Sequence, residues 1–156
     1  MTVTYTQLSE FIDAAATYLG MNPNAPRPTP MDGKFAYAVR KLHKAATTAF
    51  MPYQQQIDDL RVIHAIERDG KLLKAPNGTY EYTRDEQLAL NQAVRKLNAT
   101  SVEFAPFLVS ADSVPKDLPD QFRLAFEGWV IEPESADELV YDIMTDTKKI
   151  RRVVNA

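Results

Sequence analysis

From Lys71 to Glu86 the chain reads Lys71-Leu72-Leu73-Lys74-Ala75-Pro76-Asn77-Gly78-Thr79-Tyr80-Glu81-Tyr82-Thr83-Arg84-Asp85-Glu86. At Gly70 the periodicity changes from helical to alternating, and Asn-Gly between two alternating runs is a strong short-range hairpin signal. The pattern predicts a β-hairpin over 71–82. Thr83-Arg84-Asp85-Glu86 is then a capping box, and Leu90, Ala93, Val94 and Leu97 form the apolar stripe of the helix it starts. The chain therefore turns at a tip and returns as a helix.

Upstream of the tip, Phe35, Val39, Leu42, Ala46, Ala49, Tyr53, Ile57, Leu60 and Ile63 recur at alternating steps of three and four. That spacing is an amphipathic helix approaching coiled-coil regularity. Thr29 as N-cap, Pro30 at the first helical position and Asp32 beside the positive helix end predict its start. Pro52 lies inside it. An interior proline removes a backbone hydrogen bond and costs about 3 kcal/mol in a free helix, so either one helix kinks there or two helices meet. A long helix out, a hairpin and a helix back make an antiparallel helical arm.

Outside the arm, Leu8, Phe11, Ile12, Ala15 and Leu19 predict an N-terminal helix that Gly20 stops in the left-handed region. Four prolines between 23 and 30 make the following segment an extended connector. After the arm, Ser101 to Val109 reads as an extended segment that Pro106 confines to an edge or bulge. Asp117 opens a short helix with Leu118, Phe122, Ala125 and Phe126 inward, ended by Gly128 and followed by Trp129-Val130-Ile131 as a strand or buried turn. Ser135-Ala136-Asp137-Glu138 is a second capping box for a last helix carrying Leu139, Val140 and Ile143. The expectation is a mainly helical α+β fold in one domain over 1–156. Its parts are an N-terminal helix (1–20), a Pro-rich connector (21–30), the arm (31–100) and a mixed base with a C-terminal helix (101–156).

Composition narrows the function. Of 156 residues, 45% are hydrophobic and 25% charged, as in an ordinary soluble globular domain. The absence of cysteine removes disulfides, thiol nucleophiles and iron–sulfur ligation. The formal charge of -3 opposes a surface built wholly to grip nucleic acid, so nucleic acid is a less favoured partner than protein. The first residues lack a basic region and an uninterrupted apolar core, and no stretch approaches the roughly 18 apolar residues of a membrane span. A cytoplasmic protein without membrane contact is expected.

The chemistry-bearing residues do not converge. His43 and His64 are 21 residues apart, about 30 Å on one straight helix, too far to share an ion. Asp58-Asp59, Asp85-Glu86 and Asp137-Glu138 are adjacent pairs whose members point about 100° apart on a helix. No nucleophile elbow and no Gly-rich phosphate loop occurs. No enzyme, cofactor or metal site is expected.

Two features point instead to binding. Basic residues cluster at Arg40-Lys41-Lys44, Arg95-Lys96 and Lys148-Lys149-Arg151-Arg152, the last near a helix C-terminus where cations are favoured. Tyr80 and Tyr82 alternate on one strand of the tip and share a face. Packing within the fold is their default role; a partner-binding tip is the functional one. The expected partner-binding residues are Tyr80, Tyr82, Arg40, Lys41, Lys148, Lys149, Arg151 and Arg152.

The run Lys34-Phe35-Ala36-Tyr37-Ala38-Val39-Arg40-Lys41-Leu42, the turn Asn77-Gly78-Thr79-Tyr80, Ser101-Val102-Glu103-Phe104, and Phe126 before Trp129-Val130-Ile131 together resemble small proteins of tailed bacteriophages. These belong to a family of unestablished function. The similarity covers about residues 30–131 and brings no catalytic residues with it. It implies a phage or prophage setting, where small accessory proteins are often binders. The expected function is a non-enzymatic binding protein that recognises another macromolecule, such as a host or defence protein that it inhibits. The alternative is an oligomeric virion or assembly component, a head–tail connector or a morphogenesis chaperone, with the heptad-like stripe exposed between subunits.

Overall fold

The computed structural model describes residues 1–24 and 33–133. The C-terminal helix expected from Ser135, the basic residues Lys148, Lys149, Arg151 and Arg152, and the expected start signal Thr29-Pro30 lie outside the described residues. The fold is mainly helical with small antiparallel two-stranded sheets, an α+β architecture.

The N-terminal segment begins with a strand that the helical spacing concealed. Strand β1 (Thr2–Thr4) pairs antiparallel with β4 (Ser101–Glu103) in the register Thr2 to Glu103. Thr2 Oγ1 donates to Glu103 Oε1 at 2.6 Å. Helix α1 (Tyr5–Tyr18) follows at once, capped by Thr4: its hydroxyl accepts from the Gln7 N–H, and its own N–H donates to Gln7 Oε1. At the other end Gly20 takes φ 69°. Its N–H donates to Thr17 O, and that of Met21 to Ala16 O, the paired bonds of a Schellman stop.

Helix α2 (Lys34–His64) is one uninterrupted helix of 31 residues, about 46 Å long. It starts at Lys34, later than the Thr29-Pro30 signal suggested, with Gly33 as N-cap. Pro52 therefore does not divide it. Its ring lies on an exposed side, and the missing bond is offset by packing on the other face, where Ala46 and Ile57 are buried.

Two shorter helices run antiparallel to this spine and lie end to end along it. Tyr5 at the start of α1 packs its ring on Phe50 and Tyr53, while Tyr18 at its end packs on Phe35. Helix α3 (Arg84–Asn98) covers the distal half: Glu86 meets His64, and Asn98 accepts a hydrogen bond from the Tyr53 hydroxyl. The two helices are joined by Tyr5 N–H to Thr100 O at 3.2 Å and Thr6 Oγ1 to Asn98 O at 3.3 Å. The arm is thus shorter than the expected 31–100. The proximal half of α2 belongs to the base.

That base holds most of the core. Phe35, Ala38, Val39 and Leu42 of α2 pack with Leu8, Phe11, Ala15 and Tyr18 of α1. Helix α4 (Asp120–Phe126) adds Phe122 and Phe126, with Leu118 before it and Val130 after it. The rings interlock: Phe11 stacks on Trp129 with centroids 4.4 Å apart, and Phe126 meets Phe11, Tyr18, Phe35 and Phe122 within 5.9 Å. Burial, and secondarily Asp117, pushes the Tyr18 phenol above its ordinary pKa, so the hydroxyl stays neutral.

The tip differs from a single hairpin over 71–82. Its regular pairing is β2 (Glu67–Arg68) with β3 (Lys71–Leu72), reversed by Asp69-Gly70 with φ of 54° and 73°. Positive φ at both central residues is what a type I′ turn needs, and Asp-Gly supplies it. The Asn77-Gly78 reversal exists as well, but its ladder shrinks to one bridge between Lys74 and Tyr80. Pro76 has no N–H to give, and Asn77 Oδ1 accepts from both the N–H and the hydroxyl of Thr79. A closed ring of backbone bonds ties the three limbs together: Leu73 N–H to Ile66 O, Ile66 N–H to Glu81 O, and Glu81 N–H to Leu73 O.

Candidate partner-binding surface

Of the residues expected to bind, the four that are described, Tyr80, Tyr82, Arg40 and Lys41, do not form one surface. Tyr80 and Tyr82 are both half-buried at the tip, and the Lys74 ammonium stands 5.1 Å from the Tyr80 ring centroid. Arg40 and Lys41 lie about 24 residues back along α2 from the helix end at His64, roughly 36 Å away. Even these two neighbours point to different places. Arg40 lines a groove beside the end of α1, whereas the Lys41 ammonium sits 4.6 Å from the Phe107 ring centroid, among the chain that follows β4.

A concavity of about 670 Å³ lies on the arm, between α2 and α3. Phe50, Tyr53, Ile57, Leu90 and Val94 contribute its apolar lining, and Gln54, Asp58, Arg61 and Asn91 its polar lining. It exists because the two arm helices meet along a narrow seam. Beyond Tyr53, only Ile57 of α2 and Leu90 and Leu97 of α3 are buried. At the rim Arg61 bonds Asp58 at 3.2 Å with both side chains more than half exposed, so this pair contributes at most about 1 kcal/mol and is free to exchange partners.

Phe50 and Tyr53 form the inner wall. Their rings stack with centroids 4.6 Å apart, and the Tyr53 hydroxyl is fixed by Asn98. Behind them a smaller cleft of about 180 Å³ opens towards Thr6, Ser9 and Glu10 of α1. The stacked pair therefore stands at the junction of α1, α2 and α3.

The far end of the arm is latched by His64 Nδ1 and a carboxylate oxygen of Glu86. Thr83 Oγ1 accepts from the Glu86 N–H at 3.2 Å, one half of the expected capping box. The glutamate side chain, which would complete the box, reaches across to α2 instead.

Sequence patterning did not find this groove. The available signal was Phe50, an aromatic residue one step beside the Ala49–Tyr53 stripe, which widens the apolar face toward that side. Among the described residues no three histidine, aspartate or glutamate side chains gather to hold a metal ion, and no helix is long and apolar enough to cross a membrane. Comparison with family models, curated proteins and solved structures finds no match for the chain.

Proposed function

We propose that this chain is a non-enzymatic, phage-encoded binding protein that captures a partner protein in the groove of its arm, with a host or defence protein that it inhibits as the partner class. One observation carries this reading: an open groove of about 670 Å³ with apolar and polar residues in its lining, on an arm where Ile57, Leu90 and Leu97 are the buried residues beyond Tyr53. A groove between two antiparallel helices suits an apolar helix face of a partner, and a stacked aromatic pair at one end is the kind of rigid anchor that dominates such interfaces.

The test places a photo-crosslinking residue at Gln54 or Asn91 and, as a control, at Lys116 in the base, in infected host cells. Crosslinking to one protein from both groove positions and not from Lys116 is expected, with loss of that product in Asn91→Trp, which fills the groove. Capture that survives Asn91→Trp but is lost on changing Tyr80 and Tyr82 together to serine would move the contact to the tip.

A virion or assembly role for an oligomer is the second reading, favoured by Ile63 and Leu88 at 71% and 55% exposure on the arm. It leaves only the distal end of the heptad-like stripe, at Ile63, for contact between subunits, because Phe35, Val39, Leu42, Ala46 and Ile57 are buried within the chain itself. A closed ring of many copies by light scattering supports this second reading, and a monomer or dimer supports the first.

A further inference from the structure

The proximal half of α2 concentrates positive charge. Between Gly33 and Ile57 it carries Lys34, Arg40, Lys41 and Lys44 and no aspartate or glutamate, in a chain whose net charge is -3. The chain laid beside it after β4, from Phe104 to Ser110, carries no charged residue. The positive field is therefore local, set against the sign of the whole molecule.

Lys34, Tyr37, Lys41 and Lys44 follow steps of three and four, so they form one stripe along the helix. All four are exposed, on the side away from the buried Phe35, Val39, Leu42 and Ala46. From Lys34 to Lys44 the stripe rises about 15 Å. Neither Lys34 nor Lys44 pairs with a carboxylate among the described residues. The Lys41 ammonium stands 4.6 Å from the Phe107 ring centroid, a contact that fixes its place and leaves its charge in force. Arg40 lies beside the stripe, its charge acting on the Tyr18 hydroxyl, and the site does without it.

Tyr37 is a second, independent observation. Every other aromatic ring among the described residues is buried or half-buried, whereas Tyr37 is 58% exposed. Its ring meets Phe107 edge-on, with centroids 6.3 Å apart and planes at 72°, so the open ring is held in place. An exposed ring set among cations is how proteins hold single-stranded nucleic acid, with bases stacked on the ring and cationic side chains tracking the phosphates. A duplex keeps its base faces stacked inside, and an acidic peptide brings no base to stack. The ring thus selects among polyanions that the charge alone would admit.

We infer that this stripe binds single-stranded nucleic acid, with a base stacked on Tyr37 and phosphates against Lys34, Lys41 and Lys44. It shares no residue with the arm groove and does not depend on the partner proposed there.

The probe is a fluorescein-labelled oligothymidine of about 12 nucleotides, within the usual range of single-strand sites, titrated with the full chain by anisotropy over a salt series. Saturable binding is expected, with log K falling linearly in log salt at a slope of about -2, as for three neutralised phosphates. Changing Lys34 and Lys44 together to glutamine makes the slope shallower by about 1.4. Tyr37→Ala weakens binding roughly tenfold at every salt concentration and leaves the slope unchanged. Asn91→Trp, in the arm groove, has no effect. An oligouridine of the same length tells RNA from DNA, and saturable binding of either supports the proposal. Circular dichroism checks that the variants stay helical. Photo-crosslinking from 5-iodouracil in the oligonucleotide, expected at Tyr37, locates the contact on the unaltered chain, so the test stands even if a variant unfolds. Absence of binding at low salt, a crosslink that maps away from α2, or an equal loss on neutralising Arg95 and Lys96 instead overturns the proposal. So does tighter binding of a duplex, or of a polyglutamate peptide of equal charge, since the occupant is then another polyanion.

Discussion

The base and the arm are built from one helix and treat it in opposite ways. The proximal half of α2 is enclosed by α1 and α4, so that Phe35, Val39 and Leu42 are each no more than 3% exposed. The distal half touches the start of α1 through Tyr5 on Phe50 and Tyr53 and otherwise packs on α3 and the tip; Ile57 is its only buried residue. Burial of apolar area is the main favourable term in folding, at roughly 25 cal/mol per Å², so stability concentrates where three helices meet. The same arithmetic leaves the arm with an unfilled groove. A strongly held base thus carries a lightly held arm, and the lightly held part is where we propose that a partner docks.

The comparison breaks most visibly in the base. Phe126 is fully buried and touches four other rings, so Phe126→Ala should cost about 3–5 kcal/mol, measured as a lower denaturation midpoint, and bring the chain close to unfolding. Leu90→Ala on the arm should cost only about 2 kcal/mol, the low end for its class, because Leu90 already borders open space. Equal costs at the two positions would mean that arm and base share one core. Thr83→Ala removes the N-cap of α3 and should cost about 1 kcal/mol. That loss should appear mainly as faster amide exchange in the first turns of α3.

The smallest effect is a pH slope in the base. Burial lowers the His43 pKa from its ordinary 6.5, so below that pH the unfolded chain takes up a proton that the folded chain resists. Its contribution to stability is full above 6.5 and declines as the pH falls toward the depressed folded value. His43→Gln should flatten that decline in a series of melts between neutral and mildly acidic pH. An unchanged slope would assign it to other groups.

Much of this fold was legible because it is written in local spacing. The stripe from Phe35 to Ile57, the cap at Thr83 and the stop at Gly20 each depend on residues within a few positions, and each appears where expected. Strand β1 was not legible, since its partner Ser101–Glu103 lies about a hundred residues away and Thr2–Thr4 is too short to show a period. The tip was half legible. Asn77-Gly78 attracted the hairpin assignment, while Asp69-Gly70, an equally good type I′ pair, carries the longer ladder. The groove was the least visible feature, because it is a gap between two helices, and a gap has no residue pattern of its own. Arg40 and Lys41 show the same limit: neighbours in sequence, they point about 100° apart on α2 and meet different surroundings.

Native-state amide hydrogen exchange across a denaturant series tests the division between base and arm most directly. The account predicts that amides of α3 and of α2 from Ile57 to His64 open together, at a free energy clearly below the global value. Amides of α1 and of α2 from Phe35 to Ala46 should exchange only with global unfolding. A single opening free energy shared by both halves of α2 would contradict it.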